Sequence, residues 1–325
     1  MITIEDRIVF HKFGGAKFYD PSGQKSILKK YEKFLFLLNN ANRRPSLCTG
    51  SFKEVFVVSA PGKMTQEIQQ IIDGSNGDFE IAVYNIRNYF TEKVQGLINV
   101  YIGSFSLRYQ FIREFSAAWQ LYENKMRLMA SKGWPCWTMG MLAMGEIFHV
   151  ILLKHMFADR YPSSPLFVGL GKDNFFQMVE LLPGSKKIRS STCKKFLTWS
   201  EGFLSLPTAG SALLPGFAAH FVVEKISYPV NLELEGSDLT AAIAGKSLKD
   251  HYPTAVIYHK SVPGNRVPKD LVLTPETLFL GKPLLGVRTQ EYLREHCQGM
   301  DLYVHLEGDL YPRELKVPVR EGVTV

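Results

Sequence analysis

The sequence predicts an α/β fold built on a mainly parallel sheet, and two observations carry that prediction. Ile8-Val9-Phe10 and Glu54-Val55-Phe56-Val57-Val58 are short, nearly continuous apolar runs rich in β-branched residues, as in strands buried on both faces. Each ends in a small-residue loop that opens a helical pattern, so strand, loop and helix alternate twice. That alternation marks parallel strands covered by helices on both faces. Ligands of such sheets gather at the carboxyl ends of the strands, where both loops fall. A chain of 325 residues, 46% hydrophobic and 21% charged, can bury a core as one large domain or two smaller ones.

The elements follow in order. The first strand exits through Lys12-Phe13-Gly14-Gly15. Glycines there admit backbone N–H groups to an anion, and the lysine adds a mobile positive charge; a simple turn is the alternative reading. A Pro/Ser/Gly loop leads to Ser26, which can cap a helix carrying Ile27, Tyr31, Phe34, Leu35 and Leu38 on one side and Lys29, Lys30 and Lys33 on the other. A polar loop from Asn39 to Ser51 precedes the second strand, which ends in Ser59-Ala60-Pro61-Gly62-Lys63-Met64-Thr65. Helices then fill 66–130, with Ile68, Ile71 and Ile72 on one core stripe and Phe105, Tyr109, Ile112, Phe115, Trp119 and Tyr122 on another. Met139 to Phe157 is an apolar helix interrupted by Glu146 and His149.

Strands are expected at Leu166–Gly169, Val179–Leu182 and Leu213–Phe217, with a helix over Lys194–Leu206. Phe221 to Leu234 reads as a hairpin. Glu235-Gly236-Ser237-Asp238 opens a small-residue helix over Leu239–Leu248. Ala255–Tyr258 and Leu302–Leu306 are further strands, residues 261–270 a polar loop, and Thr274-Pro275-Glu276 a helix start with proline just inside the cap. The tail after Pro318 reads as frayed.

The charge balance favours small anions. Lys and Arg total 38 against 31 Asp and Glu, a formal net charge of +7. The basic clusters at Lys186-Lys187-Ile188-Arg189 and Lys194-Lys195 lack interleaved aromatics or a helix-turn-helix pattern, so nucleic acid is not an expected partner. No run of about 18 consecutive apolar residues argues for a membrane span. Cys48, Cys136, Cys193 and Cys297 are scattered and form no CxxC pair, which speaks against zinc and for free thiols in a reducing cytoplasm.

Several stretches share one further reading. Lys12-Phe13-Gly14-Gly15 resembles the KFGG opening of aspartate kinases, and the Val57–Thr65 segment resembles their VVSA loop with its downstream threonine. Gly145-Glu146 resembles their GE motif, Gly216-Phe217 the GF before their flap hairpin, and Gly236-Ser237-Asp238 with its alanine-rich helix their RGGSD segment. All occur in the family's order. The resemblance implies the amino-acid kinase fold, a three-layer αβα sandwich with a mainly parallel central sheet. It implies one domain over 1–325, with an amino-acid lobe at 1–215 and a nucleotide lobe at 216–318. The implied reaction is ATP-dependent phosphorylation of a carboxylate of aspartate or a related amino acid, with Mg2+, in a homodimer. Regulatory domains of the kind that follow the kinase domain in that family are not expected.

The resemblance also implies roles. Lys12 would neutralise the transferring phosphoryl group, and Gly14, Gly15, Ser59, Gly62, Gly236 and Ser237 would contact nucleotide phosphates. Asp238 would orient the lysine or share in organising magnesium; a helix cap is its other reading. Glu146 would meet the substrate's ammonium group, with His149 one turn away and Ala16 beside the glycines; a core-edge carboxylate paired with a lysine or a helix end is the other reading of Glu146, and a satisfied core histidine that of His149. Lys269 either reaches a phosphate or lies on the surface. The sequence departs from the family where Thr-Ser after KFGG becomes Ala16-Lys17 and where the arginine and first glycine of RGGSD fall on Leu234 and Glu235. It departs again at the VDG and DPR segments, which fall on Tyr258-His259-Lys260 and Val267-Pro268-Lys269. A change of acceptor and a loss of turnover both fit these departures, so a ligand- or partner-binding protein without catalysis stands as the alternative.

Overall fold

The computed structural model describes residues 7–18, 24–40, 52–171, 174–205, 211–232, 236–263, 268, 270–279, 281–307 and 312–317. Strand β1 (Arg7–Phe13) is the centre of the fold. It pairs in parallel with β2 (Phe52–Val58) on one side and β8 (Thr254–Pro263) on the other. β5 (Ser211–Pro215) and the two-residue β3 (Phe167–Val168) extend the sheet beyond β2. β11 (Asp301–Glu307) and the antiparallel β12 (Arg313–Glu314) extend it beyond β8. The order of the seven strands is β12-β11-β8-β1-β2-β5-β3.

Helices cover both faces, as the alternation predicts. Ile8, Phe10 and Lys12 face α7 (Gly236–Leu248), where a side chain on Gly245 would press on Val256 and approach Phe10. α6 (Ser191–Leu204) and α8 (Val287–His296) flank α7. Phe13 and Phe56 face α1 (Gln24–Asn39) through Phe34. α5 (Trp137–Arg160) lies on that same side, surrounded by α1, α2 (Met64–Gly74) and α4 (Phe105–Ser131), with α3 (Phe79–Tyr101) outside them. The result is a three-layer αβα sandwich.

α5 is long and apolar enough to cross a membrane by length and composition, but 83% of its most apolar window is buried inside the fold. A core helix enclosed on all sides has no need of a polar face. A small second sheet joins β4 (Glu180–Leu181) to a hairpin of β6 (Ala218–Val223) and β7 (Ile226–Asn231). The hairpin turn uses Glu224 and Lys225 at φ 51° and 67°, the doubly left-handed turn that suits strand twist.

Three expectations need correction. On α4 the buried residues are Phe111, Phe115, Ala118, Trp119, Tyr122, Glu123, Met126 and Met129, while Phe105, Tyr109 and Ile112 are exposed. The two sets lie on adjacent stripes, and only one faces α5 and the sheet. Thr274-Pro275-Glu276 starts a turn, closed by the Thr277 N–H on the Thr274 carbonyl, that runs into β9 (Leu278–Phe279) and β10 (Lys282–Pro283). The helix of that region begins only at Val287. Finally, α7 starts at Gly236 rather than Leu239, which puts Ser237 and Asp238 inside its first turn. Cys136, Cys193 and Cys297 are free thiols, as expected; Cys48 lies outside the described residues.

Candidate active site

Parallel pairing aligns the exits of the central strands. Phe13 stands opposite both Val58 and His259, and Val58 opposite Pro215. Gly14-Gly15, the Ser59–Gly62 loop, Gly216 and Lys260 therefore meet at one end of the sheet. Gly14, Gly15, Ser59, Ala60, Gly62 and Lys260, with Phe217 next to Gly216, border a cleft of about 1020 Å³ that reaches to α5 and to the start of α7. A cleft of this size suits a nucleotide together with a small second ligand.

The two loops are locked to each other. Ser59 N–H donates to the Phe13 carbonyl (3.2 Å), Gly62 N–H to Gly15 (3.0 Å) and Gly216 N–H to Val58 (2.8 Å). Gly62 has φ 62°, a left-handed conformation that glycine adopts without cost. Gly15 is required by contact instead: a Cβ there would overlap the Ala60 carbonyl oxygen. Gly15→Ala is expected to force the loops apart and to lower stability by about 1–3 kcal/mol. Urea unfolding checks this; an unchanged midpoint would contradict the close packing.

The charged centre lies just below these loops. Lys12 Nζ stands 2.6 Å from Asp238 Oδ1, and Lys260 Nζ stands 2.8 Å from Asp238 Oδ2. Asp238 is 3% exposed and Lys12 6%. Burial alone would raise the Asp238 pKa, but Lys12 and Lys260 outweigh it and hold the carboxyl below its usual range. The three side chains together carry one net positive charge. Asp238 is thus an orienting group for two lysines, and its place within α7 sets aside the cap reading. Ser59 Oγ donates to Ser237 Oγ (2.7 Å), which ties the β2 loop to the same first turn of α7.

α5 supplies the opposite wall. Gly145 packs so closely that an added Cβ would stand 2.9 Å from Ala60 Cβ. That approach lets Glu146 Oε1 accept the Ala60 N–H at 3.0 Å. Glu146 is 2% exposed, and Oε2 is buried without a hydrogen-bond partner among the described residues. Burial pushes its pKa up to about 8, with the Ala60 N–H working weakly against this. Among the described residues no lysine pairs with it; its one partner is the Ala60 N–H, in the loop that opens α2.

His149 is placed otherwise than its spacing from Glu146 suggests. It is fully buried and does not line the cleft. Its Nδ1–H donates to the Ser59 carbonyl (2.6 Å), so Nε2 accepts from the Tyr31 hydroxyl (3.3 Å). Burial drives its pKa down to about 4 against the Ser59 bond, and the neutral ring clamps α1, α5 and the β2 loop together.

Lys12, Gly14, Gly15, Ala16, Ser59, Gly62, Glu146, Gly236 and Ser237 all line the cleft, with Asp238 directly beneath. Lys269, Leu234 and Glu235 lie outside the described residues. Sequence reasoning does not single out Lys260. The one signal for it is strand alternation, which sets Lys260 on the same face as Tyr258, the register partner of Lys12. His259, on the other face, also reaches the cleft edge, stacked on Phe13 and bonded to His11 (3.0 Å).

Among solved structures, E. coli aspartokinase III in complex with lysine and aspartate (T state) matches 93% of this chain with a TM-score of 0.62 and 16% identity. The chain has the aspartokinase fold. The same enzyme in complex with aspartate and ADP (R state) matches 93% of it with a TM-score of 0.56 and 14% identity. The chain spans 63% and 62% of the lengths of these two structures. No family model matches the sequence, and no curated protein matches it. In this aspartokinase fold the likeness is structural, and it joins the ordered motifs to the geometry already described.

Proposed function

We propose that this chain is an ATP-dependent phosphotransferase that acts on the carboxylate of a small acid of the aspartate class and forms an acyl phosphate. The observation that carries the reading is Asp238 holding Lys12 and Lys260 at the glycine-lined end of the cleft. In the reaction an acceptor carboxylate oxygen attacks the γ-phosphorus. The bond to the β,γ-bridging oxygen breaks, and ADP leaves with that electron pair. Such a transfer asks for positioning and for cations at the phosphoryl oxygens rather than for covalent chemistry. Two ammonium groups already held by one buried carboxylate need no reorganisation when that charge develops. Backbone N–H groups of Gly14 and Gly15 would take up phosphate oxygens, whereas those of Ser59, Ala60 and Gly62 are already taken by Phe13, Glu146 and Gly15 and hold the second loop in place. The R-state E. coli structure is in complex with aspartate and ADP, and a cleft of about 1020 Å³ is large enough for that kind of pair.

Magnesium does not fit the described residues as a protein-held ion. Both Asp238 oxygens face lysines, and no group of three potential metal-binding side chains occurs among the described residues. The same observation favours a second reading, in which the cleft binds nucleotide or another anion without turnover.

A coupled ADP-release assay over a panel of small acids separates the two. Turnover that falls by about 10²–10³ in Lys12→Ala supports the first reading. Folded protein that binds Mg-ATP and turns over none of the acids supports the second.

A further inference from the structure

Beyond Lys12 and Lys260, a further lysine lines the same cleft from the turn that follows β1. Lys17 belongs to the single turn Gly15–Phe18, and its N–H donates to the Gly14 carbonyl (3.0 Å). Phe18 is buried against Tyr31, Phe34 and His149, which anchors the turn to α1 and α5. The turn therefore presents Lys17 to the cleft from a fixed base. Only 25% of the lysine side chain is exposed, and its ammonium group stands 3.6 Å from Glu307 Oε2 at the end of β11.

That pairing fixes where along the cleft the charge lies. β11 lies beyond β8 on one side of β1, whereas Glu146 bonds the loop after β2 on the other side. Lys17 thus reaches toward the end of the cleft opposite Glu146, past the Lys12–Asp238–Lys260 centre. Its contact with Glu307 is exchangeable. Glu307 is 66% exposed, so water solvates its carboxylate and the pair stabilises little. Burial lowers the Lys17 pKa; Glu307 opposes this, and Lys33 and Lys30 of α1 lower it further. Among the described residues, three ammonium groups thus gather around one exposed carboxylate. A multiply charged phosphate group is the better partner for them.

We propose that Lys17 is a further nucleotide-binding residue, which leaves Glu307 to bind the phosphates that stay with the departing nucleotide. This rests on reading the cleft as an ATP-dependent phosphotransferase site. Lys12 and Lys260 meet the transferring group, and Lys17, on its flexible stem, meets the α- and β-phosphates. Glu307 then competes with the nucleotide for Lys17.

Isothermal titration calorimetry of ADP on the full chain tests it. Lys17→Met keeps the aliphatic stem and removes the charge, and it is expected to weaken ADP binding about 10- to 100-fold. Glu307→Gln removes the competitor and should tighten ADP binding about two- to fivefold. Glu307 is exposed, so this variant folds whatever Lys17 contributes to the turn. The opposite signs separate binding from structure, because a pair that only braced the fold would lose affinity in both variants. ADP affinity unchanged in Lys17→Met overturns the proposal, and so does unchanged or weaker binding in Glu307→Gln. A wild-type chain that binds no ADP overturns it together with the nucleotide reading. Binding is read here without turnover, so failure of the phosphotransferase reading shows separately, as ADP bound in the expected pattern while no acid is phosphorylated.

Discussion

Asp238→Asn is expected to lower the stability of the folded chain by about 3–5 kcal/mol and, under the proposed phosphotransfer, to abolish turnover. The carboxylate is buried and faces two ammonium groups at 2.6 and 2.8 Å. Asparagine keeps the shape and loses the charge, so Lys12 and Lys260 would face each other across a neutral amide. Lys260 is the more exposed of the two and can turn partly to water, which sets the effect toward the lower end of that range. Urea unfolding at neutral pH measures the loss. Its pH dependence has a definite sign. The folded-state pKa of Asp238 is lowered, so its contribution is present above the unfolded value of about 4 and is lost as pH falls through the depressed one. Wild type and variant should therefore converge in acid. Equal stability at neutral pH would mean that the ion pairs do not form.

Glu146→Gln is expected to do the opposite and stabilise the chain by about 3 kcal/mol at neutral pH. Folding moves this carboxyl from an ordinary value of 4.5 to about 8. Between those values the folded state holds a proton that the unfolded state releases. Its contribution is fully present below the unfolded value and is lost as pH rises to the folded one, at about 1.4 kcal/mol per pH unit. Glutamine is the isostere of the protonated acid and keeps the acceptor for the Ala60 N–H. The wild-type stability should slope downward from mildly acidic pH to about 8, and the variant should lack that slope. Parallel profiles for the two proteins would show that Glu146 is ionised in the folded state. A stability gain from removing an ionisable group in a cleft is the usual sign of a residue held there for function.

Much of the site was legible residue by residue. The glycine pair after β1 and the small-residue loop after β2 are local features, and each says that a backbone turn must approach something closely. Their meeting at one end of the sheet followed from parallel pairing, which the alternation of strand and helix already required. Gly145-Glu146 stood out because a carboxylate in so apolar a helix demands an explanation. Lys260 did not stand out, since a lysine at the end of a strand is unremarkable until the register with β1 sets it beside Asp238. His149 was misleading for the same reason. Helical spacing puts it near Glu146, but a neutral imidazole between a carbonyl and a tyrosine hydroxyl is a buried clamp. On α4, the apolar spacing marked two neighbouring stripes alike, and only packing against α5 chose between them.

By itself the sequence determined the α/β class, the parallel order of its first elements and the loops that border the cleft. These depend on local periodicity and on glycine, which act over a few residues. The tertiary structure alone decided that Asp238 holds two lysines, that Glu146 meets no cation among the described residues and that His149 faces inward. Those are questions of which charges come within a few ångströms of each other in a low-dielectric interior. Contacts between residues far apart in the chain settle them, and no local pattern records such contacts.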